Sequence, residues 1–268
     1  KTGISIDFVF IIIWSELNLN FIADTHCHTL ASTHAYSTLS EMVHAAAVKG
    51  LYAIAITDHG VAMPGAPGKW YFQNLVVVPH KLEGVLVLRG EECDVVDYDG
   101  NTDLQDSDVD SLDWIVASMH DPAMPKGPHS VEAITNAWLN IAKNPHIQVI
   151  GHSGSAQFPY DYERVIPEFG HNGKLVELNE ATFSNRRSSV ENCVQIMQLC
   201  KKHAVPIVVN TDSHFSARVG CFENSLRLLE ELDFPEELVV NSSVERFNAY
   251  LRKYTQVYQD PLLELNLL

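Results

Sequence analysis

Short apolar runs alternate along the chain with longer stretches whose apolar residues recur every three or four positions. The first pattern predicts buried strands and the second predicts amphipathic helices. The runs are Phe21-Ile22-Ala23, Leu51 to Thr57, Gly84 to Leu88, Leu112 to Met119, Ile147 to Gly151, Lys174 to Asn179 and Val205 to Asn210. Between them, Thr38-Leu39-Ser40-Glu41 is a capping box that opens a helix running to Gly50. A helical stretch covers Trp70 to His80, Ser130 caps a helix to about Lys143, and Asp161 to Phe169 reads as another. Ser188-Ser189-Val190-Glu191 caps a helix to His203. Cys221 to Leu232 and Ser242 to about Tyr254 close the domain, the second opening with the box Ser242-Ser243-Val244-Glu245. Strands alternate with helices and no linker interrupts them, so the expected fold is α/β: a parallel sheet under helices, closed or nearly closed into a barrel.

The polar residues that end the apolar runs are of one kind. Asp24-Thr25-His26-Cys27-His28 ends the first. Side chains two apart on a strand share a face, so His26 and His28 aim at one point beyond its carboxyl end while Cys27 points away. Later runs end in Asp58-His59-Gly60, Gly90-Glu91-Glu92, His120, His152 and Thr211-Asp212-Ser213-His214, and His34 lies in the loop after the first run. The carboxyl ends of the strands are where such barrels place their active sites. Any one of these histidines is as readily a hydrogen-bonded loop residue as a ligand. The set His26, His28, His34, His59, Glu92, His120, His152, Asp212 and His214, all at one barrel end, points instead to a catalytic metal cluster with open positions. Imidazole and carboxylate donors suit zinc, then manganese, then iron. His44, His80, His129, His146, His171 and His203 fall mostly in helices or helix ends and read as structural or solvated, and Cys27 and Cys93 read as core.

Composition narrows the picture. The chain has 268 residues, 46% of them hydrophobic, which suffices for one large core. A net charge of −16 with histidine neutral gives no general attraction for nucleic acid. Five cysteines without a Cys-x-x-Cys motif suggest no disulfide scaffold and a reducing compartment, the cytoplasm. The loop Asp97 to Asp110 lacks the EF-hand order of acid and glycine and reads as a solvated turn or small hairpin. Phe8 to Trp14 is intensely apolar but too short to span a bilayer, and its flanks are not those of a signal peptide. We expect residues 1–19 to be an N-terminal extension, an extra element or a start-site artefact, ahead of a barrel domain over residues 20–268, with no membrane association.

From the residues alone two enzyme classes compete. Barrel amidohydrolases also open with His-x-His and close with a strand-end Asp, but they would leave His34, His59 and His214 idle. Taken together, Asp24-Thr25-His26-Cys27-His28, Thr57-Asp58-His59, Gly90-Glu91-Glu92, Ser118-Met119-His120, Gly151-His152 and Thr211-Asp212-Ser213-His214 resemble the polymerase and histidinol phosphatase (PHP) superfamily. The loop from Ala31 to Ser40 and the segment Ile56 to Gly60 are similar to its YcdX-like phosphatases. The likeness runs from about Asn20 to Leu251, and it departs at Ser153 and Ser155, where relatives tend to have Pro and Asn.

The resemblance implies a distorted seven-stranded (β/α)7 TIM-like barrel holding three divalent metals, usually zinc. By position it implies His26, His28, Glu92 and Asp212 around the first, Glu92, His120 and His152 around the second, and His34, His59 and His214 around the third. It also implies a phosphatase acting on small phosphorylated metabolites through a metal-bound hydroxide. Asp58 is expected to orient a ligand histidine, and Arg186 to hold the phosphate. The alternatives are a histidinol-phosphate phosphatase, a PHP nuclease, which would want a basic groove, and a non-catalytic metal-binding module. The sequence carries no indication of oligomeric state.

Overall fold

In the computed structural model, which describes residues 19–259 and Leu263, seven parallel strands wind into a nearly closed barrel. Of the extension expected over residues 1–19, all but Leu19 lies outside the described residues. The strands are β1 (Ala23–Cys27), β2 (Ala53–Ile56), β4 (Val85–Asp94), β5 (Trp114–Ser118), β6 (Val149–Ile150), β7 (Leu175–Asn179) and β8 (Ile207–Asn210), hydrogen-bonded in that order. A two-residue strand, β3 (Lys81–Leu82), pairs antiparallel with β4. Helices α1 (Leu39–Val48), α2 (Lys69–Asn74), α3 (Asp106–Val109), α4 (Val131–Lys143), α5 (Tyr162–His171), α6 (Thr182–Asn185), α7 (Val190–His203), α8 (Glu223–Glu231) and α9 (Val244–Tyr254) lie between or after them. No described helix is long and apolar enough to cross a membrane.

Strand alternation sorts the apolar residues into two layers. Ala53, Ala55, Leu86, Leu88, Trp114, Val116, Val149, Leu175 and Val208 fill the barrel interior. Ile54, Ile56, Val87, Ile115, Ile150, Val176, Ile207 and Val209 face outward into the larger core beneath the helices. Helix α9 plugs the amino end of the barrel. Its Phe247 and Leu251 are fully buried in the interior layer, each worth roughly 1.5–3 kcal/mol. Its Tyr250 hydroxyl donates to the backbone carbonyls of Gln148 and Gly173, just ahead of β6 and β7. The carboxyl end is therefore the one left for chemistry.

The structure corrects several expected boundaries. The third apolar run does not stop at Leu88, because β4 continues to Asp94 and carries Glu92 within it. The helical stretch ends at Asn74 and gives way to a 3-10 turn, Leu75–Val77, and then β3. A β-branched run into Pro79 cannot continue a helix, and Val78 before the proline is extended. The capping box at Thr38 forms as read. Ser189, not Ser188, precedes α7 without a side-chain cap, and its hydroxyl accepts from Ala156 N instead. Ser243, not Ser242, caps α9 by accepting from Arg246 N. The acidic loop closes a small hairpin through Val95 and Thr102, yet it is not wholly solvated. Asp103 and Asp108 are buried, and the Asp103 carboxylate accepts from Asp94 N and Ala62 N.

The barrel closes between β1 and β8 without a continuous backbone ladder. One bridge, Cys27 with Ser213, joins the two edges. Side chains supply the rest. Asn210 Oδ1 accepts from Thr25 N and Asp24 Oδ1 accepts from Thr211 N. Asn241, fully buried, lies along the seam: its Oδ1 accepts from Val209 N and its Nδ2 donates to Ala23 O and Val209 O. Asn241→Ala would leave these backbone groups buried and unpaired, at about 1–3 kcal/mol each. The variant is expected to lose about 3 kcal/mol or more of stability in urea unfolding. An unchanged midpoint would mean that water takes over the seam.

Candidate metal centre

The site begins with a defect in β1. Asp24 pairs with Ile54 and Cys27 with Ile56, so three residue steps of β1 oppose two of β2. This bulge reverses the strand's facing. Ala23 lies in the barrel interior, whereas Cys27, four residues on, lies in the outer core. Without the extra residue, strict alternation would send His26 and His28 outward with the helices. In β4 the alternation is unbroken: Glu92 follows Leu86 and Leu88 on the interior face, and Cys93 turns outward.

These elements bring the expected ligands together around Glu92, which is fully buried. Glu92 Oε1 is 3.2 Å from His26 Nε2, 3.0 Å from His152 Nε2 and 3.6 Å from His120 Nε2. Glu92 Oε2 is 3.4 Å from His28 Nε2 and 2.8 Å from His59 Nδ1. Asp212 Oδ1 lies 3.3 Å from His28 Nε2 and 3.7 Å from His26 Nε2. The Nε2 atoms of His59 and His34 are 3.3 Å apart, and the His214 ring stacks on those of His28 and His34. His34 sits at the exposed rim.

The donor geometry fits divalent cations. A tetrahedron with bonds of ~2.0–2.2 Å has edges of about 3.3–3.6 Å, and the donor separations above, 2.8–3.7 Å, cluster around that range. His26 Nε2, His28 Nε2, His59 Nδ1, His214 Nε2 and Glu92 Oε2 are buried without a hydrogen-bond partner. Burying polar atoms unpaired is costly, and so many at one point call for a common partner. The triads His26–His28–Glu92, His59–Glu92–His120 and His28–His59–His214 each have their donor atoms close enough to share one ion.

Protonation follows the same logic. Burial holds His28 well below the ordinary imidazole value and brings His120 and His152 down to about 4, which leaves them neutral. Burial opposes charge on Glu92 and Asp212 as well, but His26 and its neighbours outweigh it and hold both well below the carboxylate range. Burial likewise opposes charge on His26, yet Glu177, Glu92 and Asp212 raise it well above its usual value.

Three supporting groups escaped the sequence reading. Glu177 Oε1 accepts from His26 Nδ1 at 2.7 Å and its Oε2 accepts from His152 N at 2.8 Å. Asp94 lies 2.6 Å from His120 Nδ1. Asn210 Nδ2 donates to Glu177 Oε1. An acid inside an apolar strand, as in Leu175-Val176-Glu177-Leu178, and an acid two residues past Glu92 were the available clues. Asp58 touches no histidine directly. It accepts from Thr29 N, Ser32 Oγ and the Tyr71 hydroxyl, and Ser32 Oγ in turn meets His28 Nδ1. Its effect on the cluster therefore runs through Ser32. Arg186, beyond β7, donates from Nη2 to Asp212 Oδ2 at 2.8 Å, at the edge of the cluster. His152 and Asp212 both have positive φ, 23° and 54°, a strained conformation for residues with side chains that recurs at functional sites.

Known proteins resemble this chain over most of its length. A family model described as PHP domain matches residues 24–181. A probable phosphatase of Acetivibrio thermocellus is 45% identical over 235 residues, covering 88% of this chain and 97% of the relative. One from Caldicellulosiruptor saccharolyticus is 45% identical over 229 residues, covering 85% and 95%. Among solved structures, histidinol phosphate phosphatase from Lactococcus lactis, complexed with zinc, L-histidinol and phosphate, has a TM-score of 0.56 at 16% identity. It covers 80% of this chain and 94% of that one, a likeness of fold.

Glu91 provides a test of the electrostatics. It shares the outward face of β4, is 1% exposed, and its Oε2 has no partner. Burial, then Asp103, Asp108 and Asp94, push its carboxyl up to about 9. A carboxyl raised in the folded state contributes fully below the unfolded value of 4.5, and that contribution is lost as pH rises toward about 9. Glu91→Gln mimics the neutral acid. It is expected to raise the unfolding free energy by on the order of 4–5 kcal/mol at pH 8 and to change little at pH 4. Urea melts at the two pH values measure this, and equal effects at both would mean that Glu91 is not held neutral.

Proposed function

The chain belongs to the PHP domain family, and from that premise we propose that it is a metal-dependent phosphomonoesterase acting on small phosphorylated metabolites. The observation that carries the reading is the group of unpartnered buried donors around Glu92 at the open end of the barrel. Three divalent ions, zinc before manganese or iron, suit this donor set. His26, His28, Glu92 and Asp212 would hold one, Glu92, His120 and His152 a second, and His34, His59 and His214 a third. His59 presents Nδ1 to Glu92 and Nε2 to His34, so its ring stands between the second and third groups. Divalent ions bound there would supply Lewis acidity for the phosphoryl oxygens and bring the pKa of a coordinated water from 15.7 to about 7.

The chain's own residues do the positioning. Glu177 fixes the ring of His26, and Asp94 that of His120, so that Nε2 faces the cluster in each. Asp58 holds the loop that carries His28 and His34 through Ser32 and Thr29. Arg186 offers a planar guanidinium beside Asp212, and its fork suits two phosphoryl oxygens. The net charge of −16 weighs against the nuclease reading.

Elemental analysis of never-chelated protein is expected to find about two to three transition-metal ions per chain. Aryl phosphate hydrolysis should accompany them, and histidinol phosphate belongs in the same assay as a rival substrate. One ion or none would overturn the trinuclear reading. Full metal without hydrolysis of any ester would leave a non-catalytic module. Glu92→Gln should lose a metal and more than ~100-fold in kcat/KM, beyond the usual effect of outer-shell changes. Glu91→Gln, facing the other way, should stay within about threefold of wild type.

His34→Ala tests the third group. Turnover and inhibition by inorganic phosphate are expected to weaken together, with one metal lost. Unchanged metal content would remove His34 from the ligand set. A lost metal with unchanged phosphate inhibition would separate that metal from substrate binding.

A further inference from the structure

A cleft of about 200 Å³ adjoins the cluster and shares Asp212 and His214 with it. It has room for one substituted ring. Three of its other residues are unusual for a surface. Tyr36 is 70% exposed and Phe215 50% exposed, two large rings left in water at the edge of the candidate site. Their loops are pinned to each other: Tyr36 N donates to His214 O at 2.9 Å, and Ser216 N donates to Ser37 Oγ at 3.0 Å. The rings therefore belong to a wall already assembled, which lowers the entropy cost of packing a ligand on them.

The third is Arg218, in the turn after Phe215. Like Arg89, Arg187, Arg227 and Arg252, and unlike Arg164, Arg186 and Arg246, Arg218 has no acidic ion-pair partner among the described residues; what sets it apart is its place in the cleft wall. The other acid in the cleft wall, Glu180, forms no ion pair with it. Both Glu180 oxygens are taken by Asn224 and Ser225. An acidic chain thus keeps a guanidinium without a direct ion-pair partner beside its candidate active site, where it can bind a second anion.

Resting on the phosphomonoesterase reading, we propose that this cleft receives the ester's leaving group. Tyr36 and Phe215 pack on a planar ring, and Arg218 binds an anionic substituent that the ring carries. The substrate class is then a phosphate ester of a planar ring bearing a second anionic group, carboxylate or phosphate.

The test compares kcat/KM of the metal-loaded protein for phenyl phosphate, 4-carboxyphenyl phosphate, benzene-1,4-diol bisphosphate and glycerol 2-phosphate. Wild type should prefer at least one doubly anionic aryl ester over phenyl phosphate by about tenfold or more, and which one identifies the second anion. Arg218→Gln should bring that ratio close to one, and Arg218→Lys should restore part of it. Phe215→Ala should narrow the preference for phenyl phosphate over glycerol 2-phosphate by about threefold or more. A wild-type ratio near one, or a ratio that survives Arg218→Gln, would overturn the proposal while leaving the phosphatase reading intact. Failure to hydrolyse any of the four esters would instead remove the reading on which it rests.

Discussion

Glu92 is the constraint around which the open end of the barrel is arranged. A fully buried carboxylate faces five imidazoles, from His26, His28, His59, His120 and His152. Hydrogen bonds do not satisfy all of it: His152 Nε2 meets Glu92 Oε1 at 3.0 Å, while Glu92 Oε2 has no hydrogen-bond partner. His26 Nδ1 is used by Glu177 and His120 Nδ1 by Asp94, so their Nε2 atoms turn inward. A cation among these nitrogens and carboxylate oxygens would be attracted to each of them. The strain at His152 and Asp212 is consistent with a site assembled for such a partner, not for its own comfort.

The two ends of the barrel divide the work. At the amino end α9 seals the interior with Phe247, Tyr250 and Leu251, and the strands there are lined by alanine, leucine and valine. At the carboxyl end the same interior positions turn polar: Glu92 on β4, Glu177 on β7 and Asn210 on β8. Burial of apolar surface at one end offsets unsatisfied polarity at the other, the usual relation between a scaffold and the site it carries.

Much of this was legible in the sequence because strand ends are marked by composition. The runs ending in His59, His120, His152 and Asp212 set both the fold class and the membership of the cluster. What was illegible depends on facing and register. Nothing in Asp24-Thr25-His26-Cys27-His28 announces a bulge, yet the bulge is what turns the two histidines inward. The length of β4 was missed because Arg89 to Glu92 reads as a polar loop, while in the fold those acids are buried. Glu177 is illegible for a related reason. A single acid in an apolar strand has no partner in sequence, and its partners His26 and Asn210 come from other strands. Asp58 follows directly on a strand end, but its link to His28 through Ser32 is a matter of three dimensions.

The side-chain seam between β1 and β8 gives coordination a mechanical meaning. His26 and His28 stand on one side of that seam, and Asp212 and His214 follow the strand on the other. Thr25 and Asn210, which meet across it, are 185 residues apart in the chain. An ion shared by His28 and Asp212 would therefore act as a cross-link at the least laddered joint of the cylinder, tying the first strand to the last. Loss of the ion and parting of the two edges would then be linked equilibria: whatever favours one favours the other by the same free energy.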